Sequence, residues 1–371
     1  MTAFKKIVVI GAGTMGSGIA AHLANSERQV ILLDLKGKES PNQISEKAID
    51  LIKKSDPPLL VERSRLGFIK PGNLTDDFDE IKDADWIIEA VVERIDIKHT
   101  LYNQIDKVRS PHSIVSSNTS TIPLSVLTQE MSDSMKSDFC ITHFFNPVRF
   151  MRLLEIVETP LMNIEKISSL RDFCKNELGK GIVNCNDTPG FIGNRIGVYA
   201  MQVAMYEALD RGLNVEIADA LFGRPLGIPK TGVFGLYDLI GIDLMKDVLA
   251  SFKKELQEND PFMEVVKPHI IVEKLLEKGF TGNKGPGGFY ETKTIDDNEI
   301  VKALNTSDMS YYDFDKVDLD IARRVEKEGI KALLNDESEY GRYAFAVLSK
   351  IINYSAFCIP EVSSKITDID D

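Results

Sequence analysis

Cysteine is scarce in this 371-residue sequence: Cys140, Cys174, Cys185 and Cys358 show no CxxC or other paired spacing. That pattern argues against a disulfide-stapled scaffold and predicts buried free thiols in a reducing, cytoplasmic setting. Histidine is equally sparse, with five residues at no metal-ligand spacing, so no metal is expected. No apolar run reaches membrane-spanning length, and the chain enters a strand-like segment at Lys5 without a signal-peptide pattern. No membrane insertion is expected. Long basic runs are missing too, and the formal net charge is −13, which speaks against a nucleic-acid partner. What is present is 43% hydrophobic and 27% charged residues, the composition of a globular chain with length for two or three domains.

Lys5 to Ile10 reads as a short apolar strand, followed by Gly11-Ala-Gly13-Thr14-Met15-Gly16 and then apolar residues at helical spacing. Strand, glycine loop and helix in this order suit a dinucleotide. The glycines serve a tight turn, approach of the backbone to a pyrophosphate, and close helix–strand packing. The helix N-terminus offers free N–H groups to the phosphates. The next strand, Val30 to Leu33, ends in Asp34, about 20 residues after the glycines, where a carboxylate binds ribose hydroxyls. Asp34 would repel a 2′-phosphate, which favours NAD over NADP, although Lys36 and Lys38 follow closely. A purely structural glycine turn is the alternative.

Gln43 to Lys54 reads as a polar-faced helix, Asn73 to Asp76 as a short strand, and Trp86 to Val92 as a strand that is apolar apart from Glu89. Ile95 to Val108 is helical, and Ser113 to Ser116 is a strand leading into Ser117-Asn-Thr-Ser120. In open α/β sheets ligands gather beyond the carboxyl ends of the strands. Glu93 and Ser120 are therefore functional candidates, against a surface acid and a helix cap as the plain readings. Alternating strands and helices to about residue 185 predict a doubly wound, mainly parallel sheet.

Thr142 to Glu158 reads as two β-prone segments broken at Asn146-Pro147. A hairpin centred on Arg149 sets His143 opposite Glu155, where Cβ atoms are roughly 4.5–5.5 Å apart. Such a pair is a base near neutral pH with a partner that fixes its tautomer. A histidine that merely satisfies a hydrogen bond in the sheet is the alternative.

After Val183 the pattern turns helical. Asp187-Thr-Pro-Gly190 predicts a helix start, with an apolar stripe from Ile196 to Tyr206. Asn194 falls in its early turns, as a cap, a bridge or a donor to a ligand. Further helices are predicted over Val215 to Phe222, Tyr237 to Leu256, His269 to Lys278, Ile321 to Leu334 and Tyr343 to Phe357. Between them lie a glycine-rich loop with Lys284, which is a plain turn or a cofactor contact, and a polar stretch over 292–320 read as a linker or mobile segment. The residues from Phe357 onward echo those from Leu209 to Leu221, a weak internal repeat whose second copy stops just after it starts.

Taken together the sequence resembles the 3-hydroxyacyl-CoA dehydrogenase family. The motifs are Gly11-x-Gly-x-x-Gly16, Ser117-Asn-Thr-Ser120, His143-Phe-Phe-Asn-Pro147, Leu154-Glu155, Asp187-Thr-Pro-Gly-Phe-Ile-Gly-Asn-Arg195, the run from Pro229 to Asp243, and Gly287-Gly-Phe-Tyr290. They occur in family order. The resemblance implies a Rossmann-like, doubly wound, mainly parallel α/β domain over 1–185 and an all-α domain over 186–295. Residues 296–371 would then be a linker and the start of a second helical repeat. It implies NAD as cofactor and an acyl-CoA as substrate in fatty-acid β-oxidation, with hydride passing from C3 to the nicotinamide. Carried over by motif, His143 is the base and Glu155 its partner, and Ser120 and Asn194 hydrogen-bond the substrate. Asn146 lies near the nicotinamide, and Glu93, Lys98 and Lys284 touch NAD. The region after Asp34 departs from the short-chain enzymes, which present Ser and Lys to CoA there, and leaves Lys47, Lys53 and Lys54 as candidates. The wording is closest to the dehydrogenase part of longer fusion proteins, so either a homodimer or a continuation beyond Asp371 is expected. A dehydrogenase of a free hydroxy acid or sugar acid, and a non-catalytic nucleotide-binding module, are the competing readings.

Overall fold

A computed structural model describes residues 4–226, 231–295, 298–314, 317 and 319–370; Pro229 and Asp371, used above, lie outside them. The described residues form two compact units, 4–193 with 359–370, and 194–358.

The first unit is built on eight strands, β1 (Lys6–Ile10), β2 (Gln29–Asp34), β3 (Ile69–Asn73), β4 (Trp86–Glu89), β5 (Ile114–Ser117), β6 (Phe139–Phe144), β7 (Leu153–Glu158) and β8 (Gly181–Asn184). Their order is β3-β2-β1-β4-β5-β6-β7-β8. Every neighbouring pair is parallel except β6–β7, the antiparallel hairpin. Strands β4, β5 and β6 are buried along their whole length, which is why they read as apolar runs rather than alternations. The helices are α1 (Thr14–Asn25), α2 (Gln43–Lys54), α3 (Ile95–Val108), α4 (Leu124–Leu127), α5 (Asp133–Lys136) and α6 (Ile164–Asn176). Small residues on α1 (Gly16, Ser17, Gly18, Ala20, Ala21, Ala24) are buried and bring its backbone close to the sheet. Trp86 is fully buried and its indole N–H donates to Ser116 Oγ at 2.9 Å, so burying it leaves no polar atom unpaired.

Two strands end earlier than expected, each for a local reason. The strand read over Asn73 to Asp76 lies instead at Ile69–Asn73. The Asn73 side chain accepts the amides of Thr75 and Asp76, a turn that competes with the sheet ladder. The strand read to Val92 stops at Glu89, whose carboxylate accepts the Val91 amide at 2.8 Å. Residues 359–370 return to this unit. The Asn186 amide donates to Val362 O, and its side chain donates to Pro360 O and Glu361 O.

The second unit is organised around α7 (Gly193–Asp210), with α8 (Val215–Leu221), α9 (Phe234–Ile240), α10 (Ile242–Glu255), α11 (Ile270–Glu277), α12 (Asp320–Glu328), α13 (Lys331–Leu334) and α14 (Glu339–Phe357). Arg195 is fully buried on α7, donating to Tyr354 Oη and to the Asp260 carboxylate, and Tyr199 stacks on Tyr354 with centroids 3.9 Å apart. The helix read over Tyr237 to Leu256 is two helices. Gly241, at φ +108°, makes the corner, and a Cβ there would meet Asp243 Oδ1 at 2.8 Å. The stretch read as a linker or mobile segment contains an antiparallel sheet of β9 (Tyr290–Ile295), β10 (Asn298–Asn305) and β11 (Ser310–Asp313). Ala303 and Leu304, consecutive residues of β10, are buried, too few apolar positions to stand out from their polar neighbours. The echo of α8 after Phe357 is only α15 (Thr367–Asp370), in the first unit.

Candidate active site

Two features meet the requirements of a reactive site, both at the carboxyl ends of the first unit's strands. The first is the β6–β7 hairpin. Its register pairs His143 with Glu155, and His143 Nδ1 lies 2.6 Å from Glu155 Oε2. A carboxylate only accepts, so the proton sits on Nδ1 and the lone pair of the neutral ring is on Nε2. Among the described residues no group hydrogen-bonds Nε2. Glu155 is fully buried, and its other oxygen accepts the amides of Ile192 (2.9 Å) and Gly193 (2.6 Å), with the Cys185 thiol at 3.6 Å. Phe191 sits at φ +50°, a conformation L-residues rarely adopt. It sets its ring 5.9 Å from the imidazole, with Phe145 at 4.5 Å on another side. Strain held at such a position is typical of functional sites. Here it aims the next two amides at Glu155.

The second feature is a cavity of about 530 Å³ at the ends of β1, β2 and β4, lined by Gly11, Gly13, Asp34, Ala90, Val92 and Ile97 among others. A Cβ on Gly16 would lie 1.7 Å from Gly11 O, so the loop closes this tightly only with glycine. At Gly13 a Cβ would meet nothing within 4 Å among the described residues, which leaves the backbone open on the cavity side. Among the described residues no side chain caps α1, so the first-turn amides of Thr14 and Met15 are open to an anion. Asp34 is held at the rim by the amides of Ala12 (2.5 Å) and Leu35 (2.6 Å). This donor set fits the pyrophosphate and adenosine ribose of a dinucleotide. Lys36 is engaged by Asp76 at 2.9 Å, away from the Asp34 carboxylate it follows.

Between these features lie the loops after β4 and β5. Glu93 accepts Thr119 Oγ1 (3.1 Å) and the Ser120 amide (3.2 Å). Asn118 Oδ1 accepts the amide of Phe144, next to His143. Ser120 Oγ has no hydrogen-bond partner among the described residues.

Comparison with known proteins agrees with this geometry. The model of the 3-hydroxyacyl-CoA dehydrogenase NAD-binding domain matches residues 6–188, and that of the family's C-terminal domain matches 190–292. A probable 3-hydroxyacyl-CoA dehydrogenase of Deinococcus radiodurans is 35% identical, over 79% of this chain and 84% of its own length.

The chain belongs to the 3-hydroxyacyl-CoA dehydrogenase family.

A longer relative of Rickettsia felis, called a putative fatty acid oxidation complex trifunctional enzyme, is 40% identical over 99% of this chain and 50% of its own length. The chain thus spans about half the length of the longer family members it matches. The crystal structure of 3-hydroxybutyryl-CoA dehydrogenase from Escherichia coli has the same fold over 99% of this chain and 88% of its own, at TM-score 0.73 and 24% identity.

The other residues singled out by this family's motifs fall into three groups. Asn146 is exposed in the hairpin turn. Lys98 is buried, its ammonium 2.7 Å from Glu89 and 3.4 Å from Glu93. Asn194 and Lys284 belong to the second unit, where Asn194 is half-buried in the first turn of α7 and Lys284 donates to Ile240 O at 2.9 Å. Asp187 caps a different helix from the one predicted. Its carboxylate accepts Leu124 N (2.6 Å) and Ser125 N (2.9 Å) at the start of α4, while α7 begins only at Gly193. Ser120 precedes α4 by too far to cap it. Sequence reading missed the apolar rim of the cavity at the ends of β1, β2 and β4, Leu35 and Val92, which are 66% and 60% exposed. The available signal was an apolar residue just past the end of a strand. It also missed that Glu89 accepts Lys98, Tyr102, Ser117 and the Val91 amide.

Proposed function

We propose that this chain oxidises (S)-3-hydroxyacyl-CoA to 3-ketoacyl-CoA with NAD⁺ and serves fatty-acid β-oxidation in the cytoplasm. The observation that carries the reading is the His143–Glu155 pair, with Nδ1 held at 2.6 Å and Nε2 left free. NAD, held by Gly11, Gly13, Thr14, Met15, Gly16 and Asp34, supplies the hydride acceptor when bound. His143 Nε2 takes the proton of the C3 hydroxyl. Glu155 stabilises the imidazolium through Nδ1–H and keeps the ring in the base tautomer. In reverse, the imidazolium returns that proton to the oxygen. Ser120 Oγ donates to the substrate beside its reacting oxygens. Glu93 holds the Ser120 loop, and Lys98 supports Glu93 from beneath. Asn146 serves the nicotinamide end. Asn194 as substrate donor and Lys284 as cofactor contact rest on the family motifs alone.

A second cavity supports a CoA thioester over a free acid. It measures about 620 Å³ beside α2 and is lined by Lys53, Lys54 and Arg63, by Glu62, and by apolar residues such as Ile52 and Leu60. Among the described residues none of the three cations has an acidic partner, whereas nearby Arg65 is paired with Glu27 and Glu62. Unpaired cations around an apolar floor suit the phosphates of a nucleotide tail. Arg149, in the turn of the catalytic hairpin, donates to Pro58 O and Leu60 O of the same wall.

The test is NADH formation from (S)-3-hydroxybutyryl-CoA by the wild type and His143→Ala. Turnover that falls by about 10²–10⁴-fold in the variant, with NADH binding retained, supports the reading. Turnover of free 3-hydroxybutyrate but not of its CoA thioester overturns it.

A further inference from the structure

Glu89 is a buried acid that the reaction described above does not use. It stands at the carboxyl end of β4 and is fully excluded from solvent. Its Oε1 accepts Lys98 Nζ (2.7 Å) and the Val91 amide (2.8 Å), and its Oε2 accepts Tyr102 Oη (2.6 Å) and Ser117 Oγ (2.6 Å). Its main-chain oxygen accepts the Asn118 amide at 2.8 Å. Four donors saturate the carboxylate, and they come from three places. Val91 belongs to the loop that walls the cofactor cavity. Ser117 begins the loop that carries Ser120, and its Oγ also accepts the Thr119 amide at 3.3 Å. Lys98 and Tyr102 lie one turn apart on α3.

Lys98 closes the circuit, because its ammonium also reaches Glu93 at 3.4 Å, and Glu93 accepts Thr119 Oγ1 and the Ser120 amide. The cofactor loop and the substrate loop are thus joined twice, directly through Glu89 and again through Lys98 and Glu93. Satisfied polar networks of this kind in a low-dielectric interior are stiff, and one that is partly unsatisfied is costly. A shift of either loop therefore strains bonds to the other.

We infer that Glu89 is a positioning residue that couples the two loops, so that cofactor and acyl-CoA each tighten the binding of the other. This rests on the function proposed above. It also assigns a task to an acid in an otherwise apolar strand, where packing alone would favour another aliphatic side chain.

The test is the dissociation constant of NADH, followed by its fluorescence, without and with saturating acetoacetyl-CoA. The wild type is expected to bind NADH about fivefold tighter or more when acetoacetyl-CoA is present, the usual lower range of coupling between sites. In Glu89→Gln that ratio is expected to fall below about twofold. Tyr102→Phe, which removes one donor and leaves the charges in place, is expected to fall between the two and covers the case in which Glu89→Gln does not fold. A merely structural Glu89 would lower the melting temperature and leave the ratio of the folded protein unchanged, which overturns the inference. A wild-type ratio near one, with normal turnover, overturns the coupling and leaves the function standing. A wild type that binds NADH but no acetoacetyl-CoA overturns the function, and the coupling with it.

Discussion

Glu155 on β7 and Glu89 on β4 are both fully buried carboxylates in one sheet, and each is saturated with donors. They differ in what the donors are. Glu89 faces a lysine, a phenol, a serine and an amide, and burial and the adjacent carboxylate push the Tyr102 phenol well above its ordinary value. Glu155 faces two amides, a thiol that burial pushes upward, and one imidazole. The imidazole presents a far nitrogen that no group hydrogen-bonds among the described residues. In the function and the inference proposed above, the same side chain, equally buried, builds a rigid joint in one region and orients a base in the other. The partners decide which.

The largest expected break of this contrast is Glu155→Gln. An amide has one oxygen for the two backbone N–H groups of residues 192 and 193, so its NH2 turns toward His143 Nδ1. The ring must then accept at Nδ1 and carry its proton on Nε2, the wrong tautomer for a base. We expect kcat to fall by about 10²–10⁴-fold, with the NADH dissociation constant within about twofold, measured by steady-state and binding assays. At the other carboxylate, Lys98→Met leaves a buried charge without its cation. Unfolding in urea is expected to show a loss of about 3–5 kcal/mol.

A buried histidine without a carboxylate sharpens the comparison. His22 Nε2 donates to Leu178 O at 3.0 Å, and its Nδ1 is buried with no partner among the described residues. Burial, with the Lys180 charge nearby, holds its pKa down at about 4, against 6.5 for the free side chain. A histidine with a depressed folded-state pKa resists protonation in the fold. Its contribution is therefore complete above about 6.5 and is lost as the pH falls toward about 4. At 1.36 kcal/mol per unit the loss approaches about 3 kcal/mol. His22→Gln keeps a donor and removes the titration. Its urea midpoint is expected to fall less than that of the wild type between pH 7 and pH 4.5.

The smallest effect is expected from Ser117→Ala, which removes one of four donors to Glu89. A stability loss of about 1–2 kcal/mol, read from the thermal midpoint, fits a shell that stays mostly satisfied.

How far these features were legible in the sequence followed from the range of the interactions. The glycine loop, Asp34 and the hairpin are local, so spacing along the chain placed them, including the pairing of His143 with Glu155. The anchors of Glu155 are not local: the amides at 192 and 193 depend on the turn at Phe191, which no periodicity marks. Asp187 looked like the cap of the helix that follows it, yet it caps α4, more than sixty positions earlier. Glu89 looked like an interruption of an apolar strand, and its donors at 98, 102 and 117 become visible only once the sheet is assembled. The small sheet from β9 to β11 was hidden by polar composition, because few of its residues, such as Ala303 and Leu304, are buried and apolar.

The proposed function turns on Glu155 holding His143 with its proton on Nδ1 and its lone pair on Nε2. Nitrogen-15 NMR of the histidine rings, at a pH where the imidazole is neutral, reads this directly. A protonated Nδ1 and a bare Nε2 are expected for His143 in the wild type, and the reverse in Glu155→Gln. A wild-type His143 with its proton on Nε2, or a variant indistinguishable from the wild type, would contradict it.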